Sequence, residues 1–259
     1  MNTTDIASFF YPINKNMGIT EADYAEADYA KTDACVAMAD AVSRTTNHSV
    51  YIIDYNQRSF LYVSPNPIFL CGCRPEEVRE KGYGHYLTVV PEDDLRRLVE
   101  INNAGYGFFY GLPIERRRDF IISYDFRIRQ SDRHTQLIHH QLTPIMLSPT
   151  GDIWLALCTM SLSHDKQPGP VVITDKANAD RYVYSFAGRR WRKQPQLTLT
   201  DRERDILLLS AKGLQNSEIG ESIFLSADTV KYHKKKLFAK LHARNITEAV
   251  GIAANMGLI

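Results

Sequence analysis

The sequence predicts an α+β protein in two parts, an antiparallel sheet with flanking helices joined to an all-α bundle of four helices. Three observations predict it. Between residues 47 and 163, apolar residues recur mainly at the two-residue period of strands. From residue 197 the apolar spacing becomes helical, with capping signals ahead of the runs. Between these regions lies the breaker run Asp165-Lys166-Gln167-Pro168-Gly169-Pro170. The implied boundaries are 1–46 for an N-terminal extension and packing or dimerisation helix, 47–165 for the sheet domain, 166–196 for a connector with a hairpin, and 197–259 for the helical domain. A chain of 259 residues is long enough for two cores.

Phe9, Phe10 and Tyr11 read as a short apolar anchor. Thr20, with Asp23 three residues on, opens a helix that runs to about Thr45. Tyr24, Ala27, Ala34, Met38, Ala41 and Val42 form its apolar face, which either packs on the body or pairs with a second copy. Ser49–Tyr55 and Ser59–Ser64 are strands joined by a polar turn. Pro91 and the acids behind it start a helix through Leu95, Leu98 and Asn102, ending before Gly105 and Gly107. In Phe120–Arg129, Phe120, Ile122, Tyr124, Phe126 and Ile128 share one face of a strand. Arg133–Leu147 and Ile153–Ser163 follow, and the last is apolar on both faces. Its outer face needs a cover, for which the N-terminal helix is the candidate. Val171–Thr174 is a strand, and Tyr182–Phe186 with Arg189–Arg192 reads as a hairpin within a semi-rigid spacer. Arg189, Arg190, Arg192 and Lys193 either approach DNA phosphates or are simply solvated.

The net charge of +1 hides an uneven distribution, acidic in the first helix and lysine-rich near the end. The four cysteines, Cys35, Cys71, Cys73 and Cys158, do not make a zinc site, because Cys71-Gly-Cys73 is too closely spaced and has no partner pair. Redox sensing by Cys71 and Cys73 would need exposure and a lowered pKa. His139 and His140 are adjacent on a strand, point to opposite faces and cannot ligate one metal together. No phosphate-binding glycine loop, nucleophile elbow or metal cluster is present, so no enzyme is expected. No stretch reaches the length of a membrane span, and the expected location is the cytoplasm.

After residue 197, Thr200 and Glu203 form a capping box for a helix carrying Ile206, Leu207 and Leu209. Asn216 is expected to cap a short second helix with Ile219 and Ile223 inward, and Gly220 within it suggests close approach of the next helix. Ser226 caps a third helix, and Thr247 is expected to cap a fourth. On the third, Val230, Leu237 and Leu241 form an inner seam, while Lys231, Tyr232, Lys235, Lys236 and Ala239 face outward. A short helix, a tight turn and a longer basic helix make helix-turn-helix geometry, suited to a DNA major groove.

Two resemblances sharpen this reading. Asn66, Phe69, Gly72, Glu76, Glu77 and Val78, followed by Pro91-Glu92-Asp93-Asp94, match PAS sensor landmarks, and the region from 47 to 163 resembles a PAS domain. That resemblance implies a small-molecule or partner signal. No cofactor signature accompanies it, since Asn66 is followed by Pro67 and Ile68 where flavin-binding photosensors have Cys and Arg. Leu199-Thr200, Arg202-Glu203, Gly213, Asn216, Glu218-Ile219, Ser226, Thr229-Val230-Lys231, His233 and Lys240-Leu241 resemble the LuxR-type helix-turn-helix family. By that resemblance Lys231, Tyr232 and Lys235 face base edges, while Thr229, His233, Lys234 and Lys240 lie nearer phosphates. Lys236, where the family often has Asn, adds a further phosphate contact, and His242 replaces the usual glycine in a left-handed position. The last helix resembles the family's dimerisation helix. The expected protein is a homodimeric transcription regulator acting on an inverted-repeat operator of double-stranded DNA and on the transcription machinery. The rival is a signalling adaptor whose helical domain binds protein.

Overall fold

Alternation along the strand segments produces one eight-stranded sheet with the order β2-β1-β5-β4-β3-β6-β7-β8, every neighbouring pair antiparallel. The strands are β1 (Ser49–Asp54), β2 (Ser59–Val63), β3 (Phe120–Ser131), β4 (His134–Leu147), β5 (Ile153–Leu162), β6 (Val172–Asp175), β7 (Arg181–Ser185) and β8 (Arg190–Gln194). The structure is a computed structural model that describes Tyr29 and residues 31–259 except Asp132, Arg133, His164, Ala179 and Gln196. It divides into two compact units, one ending at Pro195 and one starting at Gln196. Among the described residues no helix is long and apolar enough to cross a membrane.

The order β2-β1-β5-β4-β3 is PAS-like, with α2 (Pro67–Leu70), α3 (Pro75–Lys81), α4 (Gly84–Val89) and α5 (Glu92–Tyr110) packed over one face. Ile122, Tyr124, Phe126 and Ile128 of β3 are all buried there, as the alternation requires. Asn66 caps α2 by accepting from the Ile68 N–H at 3.1 Å. Asp94, in the first turn of α5, is buried and takes the Arg127 guanidinium at 2.7 and 2.9 Å, fixing that helix end to β3.

The opposite face carries α1 (Thr32–Thr45), where Ala39 joins Val50, Ile52, Trp154 and Leu155 in a second small core. Tyr29 lies edge-on to Trp154 and donates to the Asp54 carboxylate at 3.0 Å. The first helix therefore lies over this face, but not by the side expected: Ala34, Met38, Ala41 and Val42 are exposed, and Thr32 and Ala39 are the buried positions, because Ala39 is the residue that meets the sheet. Its expected start at Thr20, with Tyr24 and Ala27, and the Phe9–Tyr11 anchor lie outside the described residues.

Two further expectations change. The helix from Pro91 does not stop before its glycines. Pro91 is its N-cap, and α5 runs through Gly105 and Gly107 to Tyr110. At Gly105 a Cβ would sit 3.1 Å from Ile122 Cδ1, so the glycine permits close helix–sheet packing that offsets its poor helix propensity. The segment read as a spacer is also part of the sheet. β6 pairs with the free edge of β3, and the expected hairpin, β7–β8, extends that edge. Its aromatic alternation has a partner: Phe108 of α5 packs against both Tyr182 and Trp191.

Candidate nucleic-acid interface

The C-terminal unit is built from α6 (Asp201–Ala211), α7 (Asn216–Ile223), α8 (Ala227–Leu241) and α9 (Ile246–Asn255). Its core is Ile206, Leu207, Ile219, Ile223, Val230, Leu237, Leu241, Ala243, Ala249 and Ala253. The capping box forms as expected, the Glu203 N–H donating to Thr200 Oγ1 at 3.2 Å and the Thr200 N–H to Glu203 Oε2 at 2.9 Å. Ser226 Oγ accepts from the Thr229 N–H at 3.1 Å and starts α8.

Two caps fall elsewhere than expected. Gln215, not Asn216, precedes α7, its N–H donating to Glu218 Oε2 at 2.6 Å. Asn245, not Thr247, caps α9, accepting from the Glu248 N–H at 2.9 Å. At α7 the Glu218 carboxylate completes the cap, whereas at α9 Glu248 contributes only its N–H and its carboxylate accepts from the Arg244 N–H at 2.7 Å. Gly220 has the steric reason anticipated, although the neighbour is the turn: a Cβ there would lie 2.4 Å from the Leu225 carbonyl oxygen. Phe224 and His242 both adopt left-handed backbone, φ 58° and 56°, ending α7 and α8.

On α8, Val230, Leu237 and Leu241 are buried while Lys231, Tyr232, Lys235, Lys236 and Ala239 are exposed. The Lys236 ammonium sits 4.6 Å above the Tyr232 ring, a cation–π contact that props the tyrosine outward. No ion pair among the described residues holds Lys231 or Lys235. Thr229, His233 and Lys234 are half-buried at the margins of this face. Burial pushes the Lys234 pKa down. Lys240 stands apart from them. Its ammonium donates to Glu203 Oε2 at 2.6 Å, tying α8 to the start of α6. The neighbouring Arg202 donates to the Ile223 carbonyl at 3.0 Å, closing the end of α7. The Arg202-Glu203 pair is thus a clamp for the bundle, legible in the sequence only as a capping acid. Nothing in the sequence signalled the exposure of Phe224, at 93 %.

The sheet unit holds a polar cluster inside its aromatic core. Tyr51 Oη lies 2.5 Å from Tyr86 Oη and 2.7 Å from His140 Nε2. Burial pushes both phenols well above their ordinary range. The same burial, helped by His139, pushes His140 down to about 3 and keeps it neutral. His139 faces the other way and meets Asp125 at 2.7 Å. His140 Nδ1 has no protein partner among the described residues. The adjacent internal space, ≈ 20 Å³ bounded by Ile53, Tyr55, Leu98, Asn102, Tyr106 and Tyr124, is large enough for about one water. Cys71 and Cys73 are half-buried, and burial pushes the Cys71 thiol up to about 11, away from ready thiolate chemistry. No cluster of three metal-ligating side chains occurs among the described residues.

A PAS-like sheet unit followed by a helix-turn-helix unit with a basic third helix is the architecture these features define. Residues 197–253 match the family model described as bacterial regulatory proteins, luxR family, and the C-terminal unit is a LuxR-type helix-turn-helix domain. The CsgBAC operon transcriptional regulatory protein of Escherichia coli is 38% identical over 73 residues, covering 28% of this chain and 34% of that protein. The response regulator protein VraR of Staphylococcus aureus is 40% identical over 72 residues, covering 27% and 34%. The chain covers as little as 10% of the first mycobacterial relatives and 34% of others. A solved structure of the Vibrio cholerae VqmA dimer without target DNA covers 84% of this chain and 86% of its own, at 16% identity. Its TM-score is 0.34, too low to transfer a ligand or an assembly.

Proposed function

We propose that this chain is a sequence-specific transcription regulator that lays α8 in the major groove of double-stranded DNA, under the control of a signal received by the PAS-like unit. The observation that carries this reading is the exposed row Lys231, Tyr232, Lys235 and Lys236 on a capped helix whose other side is sealed in the core. Lys231, Tyr232 and Lys235 read base edges; Thr229, His233, Lys234 and Lys236 meet phosphates. Lys240, held by Glu203, positions the helix in this reading. Two copies related by a two-fold axis would read an inverted repeat. The signal is a small molecule or a partner, and a molecule larger than water needs side chains around His140 to move. The regulator carries out no reaction and acts in the cytoplasm.

Fluorescence anisotropy with a duplex selected by the wild-type protein tests the assignment. Affinity should fall steeply with salt. Lys231→Ala with Lys235→Ala should lose about 2 kcal/mol or more of preference over random duplex, since each good base contact discriminates by about 1–3 kcal/mol. Unchanged affinity in that double variant would sink the role of α8. The exposed Phe224 favours the rival, a signalling adaptor that docks protein through the helical unit. Such an adaptor would show no salt-dependent duplex binding.

A further inference from the structure

We propose that the β7–β8 hairpin is a second contact to the DNA backbone, with the guanidinium groups of Arg189, Arg190 and Arg192 taking phosphates outside the bases read by α8. The inference rests on the DNA-binding reading of the C-terminal unit. The hairpin has two unlike faces. On one, Trp191 packs tilted against Tyr184 and edge-on to Phe108 and donates from Nε1 to the Ala104 carbonyl at 3.0 Å, fastening the strand to α5. Side chains alternate along a strand, so Arg190 and Arg192, opposite Ser185 and Val183, belong to the other face, and both are exposed.

The neighbouring cations are engaged within the hairpin and its turn. Lys193 pairs with Asp180 at 2.6 Å, and Arg181 donates to Gln194 Oε1 at 2.7 Å. Arg189, Arg190 and Arg192 have no acidic partner among the described residues. Charge on an open edge strand also discourages edge-to-edge pairing, which would account for Arg190 and Arg192. It does not account for Arg189, an exposed arginine in the turn at φ 44°, where glycine or asparagine would be the easier residue. Three guanidiniums on a rigid support, each able to take a phosphate in a planar fork, form a backbone-binding surface. Residues 195–200 alone separate β8 from α6, so a duplex bound by the helical unit meets the hairpin at high effective concentration.

The test uses the full chain carrying Arg189→Gln, Arg190→Gln and Arg192→Gln, with anisotropy measured on the selected duplex and on random-sequence duplex across a salt series. Tryptophan fluorescence checks that Trp191 keeps its packing. Each phosphate contact contributes about 0.9 to the slope of log affinity against log salt, so the slope should drop by about 2–3. Both duplexes should weaken by the same factor, because phosphates carry no sequence. Lysine at the three positions should restore most of the slope. An unchanged slope, with Lys231→Ala and Lys235→Ala still abolishing preference, overturns the hairpin contact and leaves α8 intact. Absence of salt-dependent binding by the wild type overturns both readings. An unchanged slope with lost binding to phosphatidylglycerol vesicles reassigns the arginines to a membrane surface.

Discussion

Acidification should loosen the sheet unit, chiefly through His140. A histidine has an ordinary pKa near 6.5 in the unfolded chain, and burial lowers that of the folded His140 to about 3. Between those values the unfolded state binds the proton and the folded state does not, so stability falls as pH falls. The contribution is fully present above about 6.5 and is lost progressively down to about 3. At pH 5 the unfolded pKa lies about 1.5 units above the solution pH, which at 1.36 kcal/mol per unit is about 2 kcal/mol. His48 and His85, also lowered by burial, act in the same direction, while Asp54, raised by burial, acts against them. His140→Gln isolates the effect, since glutamine reaches toward Tyr51 but cannot be charged. Both tryptophans, Trp154 and Trp191, lie before Pro195, so their fluorescence during urea unfolding reports the sheet unit alone. Between pH 7.5 and 5 the wild type should lose about 2 kcal/mol more than His140→Gln. Parallel losses in the two proteins would mean that His140 is not held neutral, and the account of the core would fail.

Three further outcomes follow from the helical unit, each read by circular dichroism of thermal unfolding. Gly220→Ala should destabilise it by about 2 kcal/mol, because the new methyl meets the Leu225 backbone oxygen at 2.4 Å and the turn must shift; a neutral result would show that the turn is loose. His242→Gly should stabilise it by about 1 kcal/mol by relieving the left-handed backbone at φ 56°; a loss would show that the imidazole makes a stabilising contact there. Lys240→Met should destabilise it at neutral pH and make it less sensitive to acid, because the ammonium is a principal cause of the lowered Glu203 pKa and without it the folded carboxyl titrates closer to its unfolded value. Glu203 supplies stability that is present above its unfolded value and lost as pH falls through the folded one. An unaltered acid response in that variant would show that Thr200 alone holds the carboxylate.

Much of this was legible because local chemistry and tertiary packing agree. The strict alternation of β3 fixed which side chains go inward, and the seam of Val230, Leu237 and Leu241 fixed which side of α8 faces out. The misread positions are those where non-local packing decides. Gly105 looked like a helix end because its propensity is poor, and only the approach of Ile122 explains why the helix continues. The region after Pro168 looked like a spacer because breakers precede it, whereas its strands are recruited by the open edge of β3. Asn216 and Thr247 are credible caps by residue type, yet the Glu218 carboxylate takes the Gln215 N–H and the Asn245 side chain takes the Glu248 N–H. The Tyr51–Tyr86–His140 cluster joins residues 35 and 89 positions apart, which no local pattern could reveal.

The position of β3 has one more consequence. One of its ladders places Tyr124 opposite His140, and its other ladder ties Ile122 and Ser123 to Ile173 and Val172 of β6. The ladder from the Tyr124–His140 pair to the strand that carries Arg190 and Arg192 is thus continuous, each strand hydrogen-bonded to the next with no loop interposed.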